Sequence, residues 1–165
     1  MADSLTTYGP GGASFTSWFY GSLNNAIAYF EQRLHSKGFK SASQTDRQKA
    51  LSMATQIVDS LNFTGSKTTE DQPLEFPRCG LTSEPIDIQV ATYEIADSIL
   101  KGDIAETKLE ELGITSAGYS SVRMTYNRSN TPLDHYMNGV PNYSAWLRLK
   151  PYLRDQDHIR LNRVT

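Results

Sequence analysis

The chain has 165 residues, one cysteine and a formal net charge of -2 at pH 7. Hydrophobic residues make up 38% and charged residues 21%, enough for one domain with a core of its own. No apolar run approaches the ~20 residues that span a bilayer. Met1-Ala2-Asp3-Ser4-Leu5 lacks the basic-then-apolar order of a secretory leader, and the lone Cys79 has no intrachain disulfide partner, which points to synthesis in a reducing cytosol.

Residues 1–13 are polar and glycine-rich, with Tyr8-Gly9-Pro10-Gly11-Gly12, and read as a flexible N-terminal arm. Ser14 to Tyr20 alternates weakly through Phe15, Trp18 and Phe19, which predicts a short extended segment. A first helix follows. Ser22 is a good N-cap, Leu23, Ala26, Ile27, Phe30 and Leu34 recur at helical spacing, and Gly38 stands where a C-cap belongs. A second helix begins at Ser43 or Thr45, with Ala50, Ala54, Ile57, Val58 and Leu61 as its stripe and Gly65 as its end.

The next segment is neither helix nor central strand. Phe63-Thr64-Gly65-Ser66-Lys67 closes the helical pattern, and Gln72-Pro73-Leu74-Glu75-Phe76-Pro77-Arg78-Cys79-Gly80 holds an aromatic between two prolines. This predicts a rigid connector, with Phe76 on the core and Cys79 a buried small hydrophobe. A third helix starts near Pro85, buries Ile88, Ala91, Ile95, Ile99 and Leu100, and stops at Gly102. Ile104 to Leu112 predicts a short helix ended by Gly113.

The period then changes. Val122, Met124 and Tyr126 alternate with polar neighbours, so Tyr119 to Tyr126 reads as a strand. Asn127 to Pro141 is rich in turn formers and reads as a hairpin return or a loop that orders on a partner. A last helix, capped by Ser144, carries Trp146, Leu147 and Leu149 and meets Pro151; the residues beyond are polar and basic. The expected fold class is mainly α: a small helical bundle with a β-hairpin or extended arm and a flexible C-terminal tail. Leu23, Ile27, Phe30, Ile57, Val58, Leu61, Ile88, Ile95 and Ile99 are its expected core.

Charge is unevenly distributed. Glu84 to Glu111 holds eight acids and two lysines, whereas Ser144 to Thr165 holds five bases and two aspartates. The two regions read either as solvated faces or as halves of a head-to-tail contact between subunits. Asp87, Glu94 and Asp97 lie opposite the apolar stripe of the third helix, on a solvated or intersubunit face.

Motifs for chemistry are missing. His35, His135 and His158 stand far apart, no H-x-x-x-H or C-x-x-C spacing exists, and no glycine-rich phosphate loop follows a strand. Cys79 with His35 or His135 is the one nucleophile pairing left open, without an activating motif. No enzyme, metal or cofactor is expected. For single-stranded DNA, Tyr119, Arg123, Tyr126 and Arg128 would be the stacking and phosphate-pairing set. Tyr119 and Tyr126 fall on opposite faces of a regular strand, however, and the net charge offers little phosphate attraction.

The ordered series of segments resembles one family of tailed-phage proteins, the small head–tail connector (adaptor) proteins, often labelled DnaT-like single-stranded DNA-binding protein. The resemblance spans about residues 14 to 153. It rests on Tyr29-Phe30, on Phe63-Thr64-Gly65-Ser66-Lys67, on the segment from Gln72 to Gly80, and on Pro85-Ile86-Asp87-Ile88 followed by Ala91, Glu94, Ile95, Ala96 and Gly102. Tyr126 and Trp146-Leu147-Arg148-Leu149-Lys150-Pro151-Tyr152-Leu153 complete it. The Asn/Gly-rich stretch Asn127 to Asn142 and the basic tail beyond Leu153 depart from the pattern.

What the resemblance implies is a virion protein of the neck, made in the host bacterial cytoplasm and assembled as a homo-oligomeric ring, usually of about twelve copies. Its partners would be the portal protein and a tail, stopper or nozzle protein, with dsDNA in transient passage and no membrane. In that scheme 14–153 is a single adaptor domain with a strand/loop insertion at about 119–143, and 154–165 is a portal-docking tail using Arg154, His158, Ile159, Arg160, Leu161 and Arg163. Glu94, Asp97, Glu110, Glu111, Trp146, Arg148, Lys150 and Tyr152 become subunit-interface candidates, and Arg123 and Arg128 face the lumen. Direct single-stranded DNA binding is the alternative reading.

Overall fold

Ser22, Ser43 and Asn142 each stand immediately before a helix and cap it with a side-chain oxygen. The computed structural model describes residues 3–8, 14–113, 116–119, 122–125 and 134–154. Their order is β1 (Asp3–Tyr8), β2 (Ser14–Phe19), α1 (Leu23–Glu31), α2 (Lys37–Ser41), α3 (Gln44–Asp59), α4 (Ile86–Leu100), α5 (Ala105–Gly113), β3 (Ser116–Tyr119), β4 (Val122–Thr125), α6 (Asp134–Met137) and α7 (Tyr143–Leu149), then a 3₁₀ turn at Lys150–Tyr152. The fold is mainly helical. Ser22 and Ser43 Oγ and Asn142 Oδ1 accept the amides of Asn25, Asp46 and Ala145, each at 3.1 Å, satisfying donors that a helix start leaves unpaired. The expected cap Ser144 lies inside the first turn of α7 instead.

α4 is the axis. All of residues 91–98 are buried, with α3 and α7 packed along the helix and α2 against it. Ile88, Ala91 and Ile95 meet a core that includes Leu51, Ala54 and Val58 of α3, Phe30 of α1, Phe39 of α2, and Ala145 and Leu149 of α7. Asn142 Nδ2 donates to Ser98 Oγ at 3.1 Å and Arg148 Nη1 to Asp87 Oδ1 at 2.9 Å, so α7 runs antiparallel to α4. Of the expected core, Ile27, Ile57 and Ile99 are only half-buried, because each lies at the edge of its helix's apolar face.

Two predicted helix ends move. α1 stops at Glu31, which leaves Leu34 84% exposed. Gly38 is inside α2, not a cap. A Cβ there would lie 2.8 Å from the Asp97 carbonyl oxygen, so glycine is what lets α2 approach α4. α3 ends at Asp59, where the Ser60 amide bonds to Gln56 O at 3.0 Å, and Gly65 belongs to the connector at φ +74.

The strand expected over Tyr119 to Tyr126 is two strands. β3 and β4 pair antiparallel with Tyr119 opposite Val122, so the partner comes from upstream, and α6 occupies part of Asn127 to Pro141. Ser120-Ser121, a turn-forming pair in the sequence, separates the two runs. The extended segment at Ser14 is β2, and it pairs antiparallel with β1, which lies in the expected flexible arm. Tyr126 and residues 155–165 lie outside the described residues.

Tyr20, fully buried, joins three segments. Its hydroxyl donates to Asp59 Oδ1 at the end of α3 and accepts from the Phe76 amide at 3.1 Å, while the Glu75 amide reaches the same Asp59 oxygen at 3.3 Å. Burial, then the charge of Asp59, pushes the Tyr20 hydroxyl far above the ordinary tyrosine range. Burial also raises the Asp59 carboxyl, against the opposing bond from Tyr20.

Two outcomes follow from this packing. Ile95→Ala costs about 2–5 kcal/mol in urea unfolding, and Ile57→Ala costs less, because that side chain is only partly buried. Because the folded Asp59 carboxyl titrates above its unfolded value, its stabilising contribution is full below the unfolded pKa and is lost as pH rises through the folded one. Stability of the native chain relative to Asp59→Asn therefore falls as pH is raised through the carboxylate range, read as a difference in thermal midpoint.

Candidate functional site

Pro73 and Pro77 forbid helix in the connector, so its backbone groups need other partners, and Arg78 supplies many of them. This side chain is almost fully buried. Its Nε donates to Thr64 O at 3.1 Å and its Nη2 to Gly65 O at 2.6 Å, while Nη1 pairs with Glu75, which also meets Lys67 at 3.1 Å. The guanidinium lies 6.0 Å from the Phe63 ring centroid. One planar fork thus holds two stretches of irregular backbone together. Phe76 packs where expected, edge-on to Tyr20, Phe63 and Tyr152, with ring centroids 6.1, 4.7 and 5.8 Å away.

The chain's return to this connector forms a cleft. Phe63 bridges Leu153, the Thr64 amide donates to Tyr152 O at 2.9 Å, and the Arg154 amide donates to Asn62 O at 2.9 Å. The cleft, of about 240 Å³, is lined by Thr64, Phe76, Arg78, Cys79, Leu81 and Tyr152. Cys79 is exposed, not buried: its backbone sits at φ 56, and a Cβ on Gly65 would lie 2.1 Å from its Sγ. The thiol covers the glycine instead of entering the core. The lining offers ring faces, an exposed thiol and a guanidinium whose donors are committed to backbone and Glu75, which suits an apolar side chain better than a chemical step.

The interface candidates separate into two groups. Glu94 and Asp97 face inward, contrary to the expected solvated or intersubunit face. Glu94 pairs with Arg33 and accepts the Tyr29 hydroxyl at 2.7 Å; Asp97 accepts the Phe39 amide at 2.8 Å and pairs with Lys101. Burial, then the bond to Glu94, raises the Tyr29 hydroxyl above its ordinary range. The helical period misassigned this face because α1 and α2 cover it. Trp146 is buried as well, in the core.

Glu110, Glu111 and Lys150 are exposed, with Glu111 3.0 Å from Lys108. Arg148 pairs within its own chain, with Asp87. Tyr152 is half-buried, its hydroxyl raised by burial and then by Asp87. Arg154 is exposed. Arg123 lies on β4, paired with Gly118, and Tyr119 lies on β3, paired with Val122; Arg128, His158, Ile159, Arg160, Leu161 and Arg163 lie outside the described residues. His135 is buried in α6 against Tyr136, and His35 sits in the turn between α1 and α2, where its carbonyl accepts from Lys101. Among the described residues no group of three or more His, Cys, Asp or Glu is placed to hold a metal ion.

Sequence reasoning missed Arg78, Tyr20 and Asp59. The available signal for Arg78 was a cation directly after the proline-bounded stretch and three residues from Glu75. The two others left none, since a tyrosine and an aspartate 39 positions apart carry no local pattern.

These features define a small helical domain whose irregular connector and chain end form one surface. The chain belongs to the family described as "Putative DnaT-like ssDNA binding protein", whose model matches residues 9–163. No curated protein and no solved structure matches it. Arg78→Lys keeps the charge but loses the fork, and is expected to cost about 1.5–3 kcal/mol in thermal unfolding.

Proposed function

We propose that this chain is a structural assembly subunit, a head–tail adaptor that forms a ring under a phage portal, joins capsid to tail and continues the DNA channel. One observation supports this reading over a nucleic-acid grip. Among the described residues, many of the cations and aromatics that a single-strand groove would need are used internally. Arg33 and Arg148 pair with carboxylates, Arg47 donates to the Phe39 and Lys40 carbonyls, and Arg78 is buried. Phe19, Tyr20, Phe30, Phe39, Phe63, Phe76, Tyr93 and Trp146 are buried too. A two-stranded hairpin such as β3–β4 is also marginal alone in water and fits a molecule completed by neighbours.

The second reading is single-stranded DNA binding, and the description of the chain's family favours it. In that case contacts would come from the β3–β4 region and the C-terminal residues. Quantitative mass spectrometry of purified particles separates the two. The adaptor reading expects the chain in virions at ring-like stoichiometry to the portal, and weak binding to an oligonucleotide. Absence from particles, with sub-micromolar binding that weakens steeply with salt, would establish the second reading.

A further inference from the structure

The two ends of α4 carry opposite charge. Its fifteen residues set them about 20 Å apart. The end of α7 lies near the start of α4 and leads into the 3₁₀ turn with Lys150 and then Arg154; at this end Ile86 and Leu147 are 73% and 52% exposed. Beyond its other end, α5 presents Glu106 and Glu110, with Ile104 54% exposed before it and Met137, 72% exposed, on the α6 that packs against α5. Several other charges nearby are offset within the chain, Arg148 by Asp87, Lys101 by Asp97 and Lys108 by Glu111, while Glu84 before α4 and Asp103 after it are partly buried. Lys150, Arg154, Glu106 and Glu110 make no ion pair among the described residues.

We propose that these ends are the two halves of one contact between copies: the basic end of one chain, through Leu147 and Lys150, seats on the acidic α5–α6 end of the next, through Glu110 and Met137. The inference rests on the ring reading and assigns its subunit surface. A rigid helix separates the patches, so one chain cannot cover its own. A two-fold contact at either end would set like charge against like. A heterologous, head-to-tail arrangement brings unlike charge and apolar surface together at every copy, and such a contact closes into a ring when its rotation allows, as the ring reading requires.

The test uses the full-length chain, with assembly followed by native mass spectrometry and sedimentation, and folding checked by circular dichroism. Lys150→Glu and Glu110→Lys are each expected to weaken self-association about tenfold, and the double exchange to recover most of that loss. Singles that assemble like the native chain, or a double exchange no better than either single, would overturn the interface. So would a Lys150→Glu variant that keeps its rings but loses portal or DNA, since the basic end would then serve another partner. A native chain that stays monomeric at all concentrations overturns both this interface and the ring reading, whereas rings indifferent to the exchange overturn the interface alone.

Discussion

Two carboxylates buried in the central helix constrain everything around them. Glu94 and Asp97 lie on α4 where solvent does not reach, and a buried charge persists only if it is paired and hydrogen-bonded. Glu94 requires Arg33 and Tyr29, which places α1. Asp97 requires the Phe39 amide, which places the start of α2 so close to α4 that residue 38 has no room for a Cβ. The break between α1 and α2 is the backbone consequence. Both acids are thereby withdrawn from the surface.

The far end is organised by a second set of polar contacts. Tyr20, Asp59 and the amides of Glu75 and Phe76 fasten the connector to the end of α3, and Arg78 fastens it to the loop at Thr64 and Gly65. The 3₁₀ turn and Leu153 then pair with that loop, beside the braced connector. In the adaptor proposed above, such bracing would keep contact surfaces in fixed relative positions.

Much of the architecture was legible. The apolar stripes located the helices, Ser22 and Ser43 marked two starts, and the prolines marked the connector with Phe76 turned inward. Failures came where tertiary context overrode local pattern. The reading of Glu94 and Asp97 as outward assumed an amphipathic helix, and α4 is covered on the face they occupy. Gly38 and Gly65 looked like helix stops but serve close approach and a left-handed turn. Asn142 displaced Ser144 as a cap because either residue type suits the position. Cys79 was assigned to the core by residue preference, whereas its left-handed backbone holds it at the surface. For the site, the exposed Glu110, Glu111, Lys150 and Arg154 could be read from charge blocks, but not the internal pairing of Arg148, which depends on the antiparallel course of α7.

The most direct measurement is single-particle cryo-electron microscopy of the purified chain mixed with its portal protein. The account predicts a closed ring of copies, coaxial with the portal, in which the α5–α6 end of each subunit meets the α7 end of its neighbour around an open channel. Portal particles without added density, alongside single copies bound to nucleic-acid strands, would contradict it.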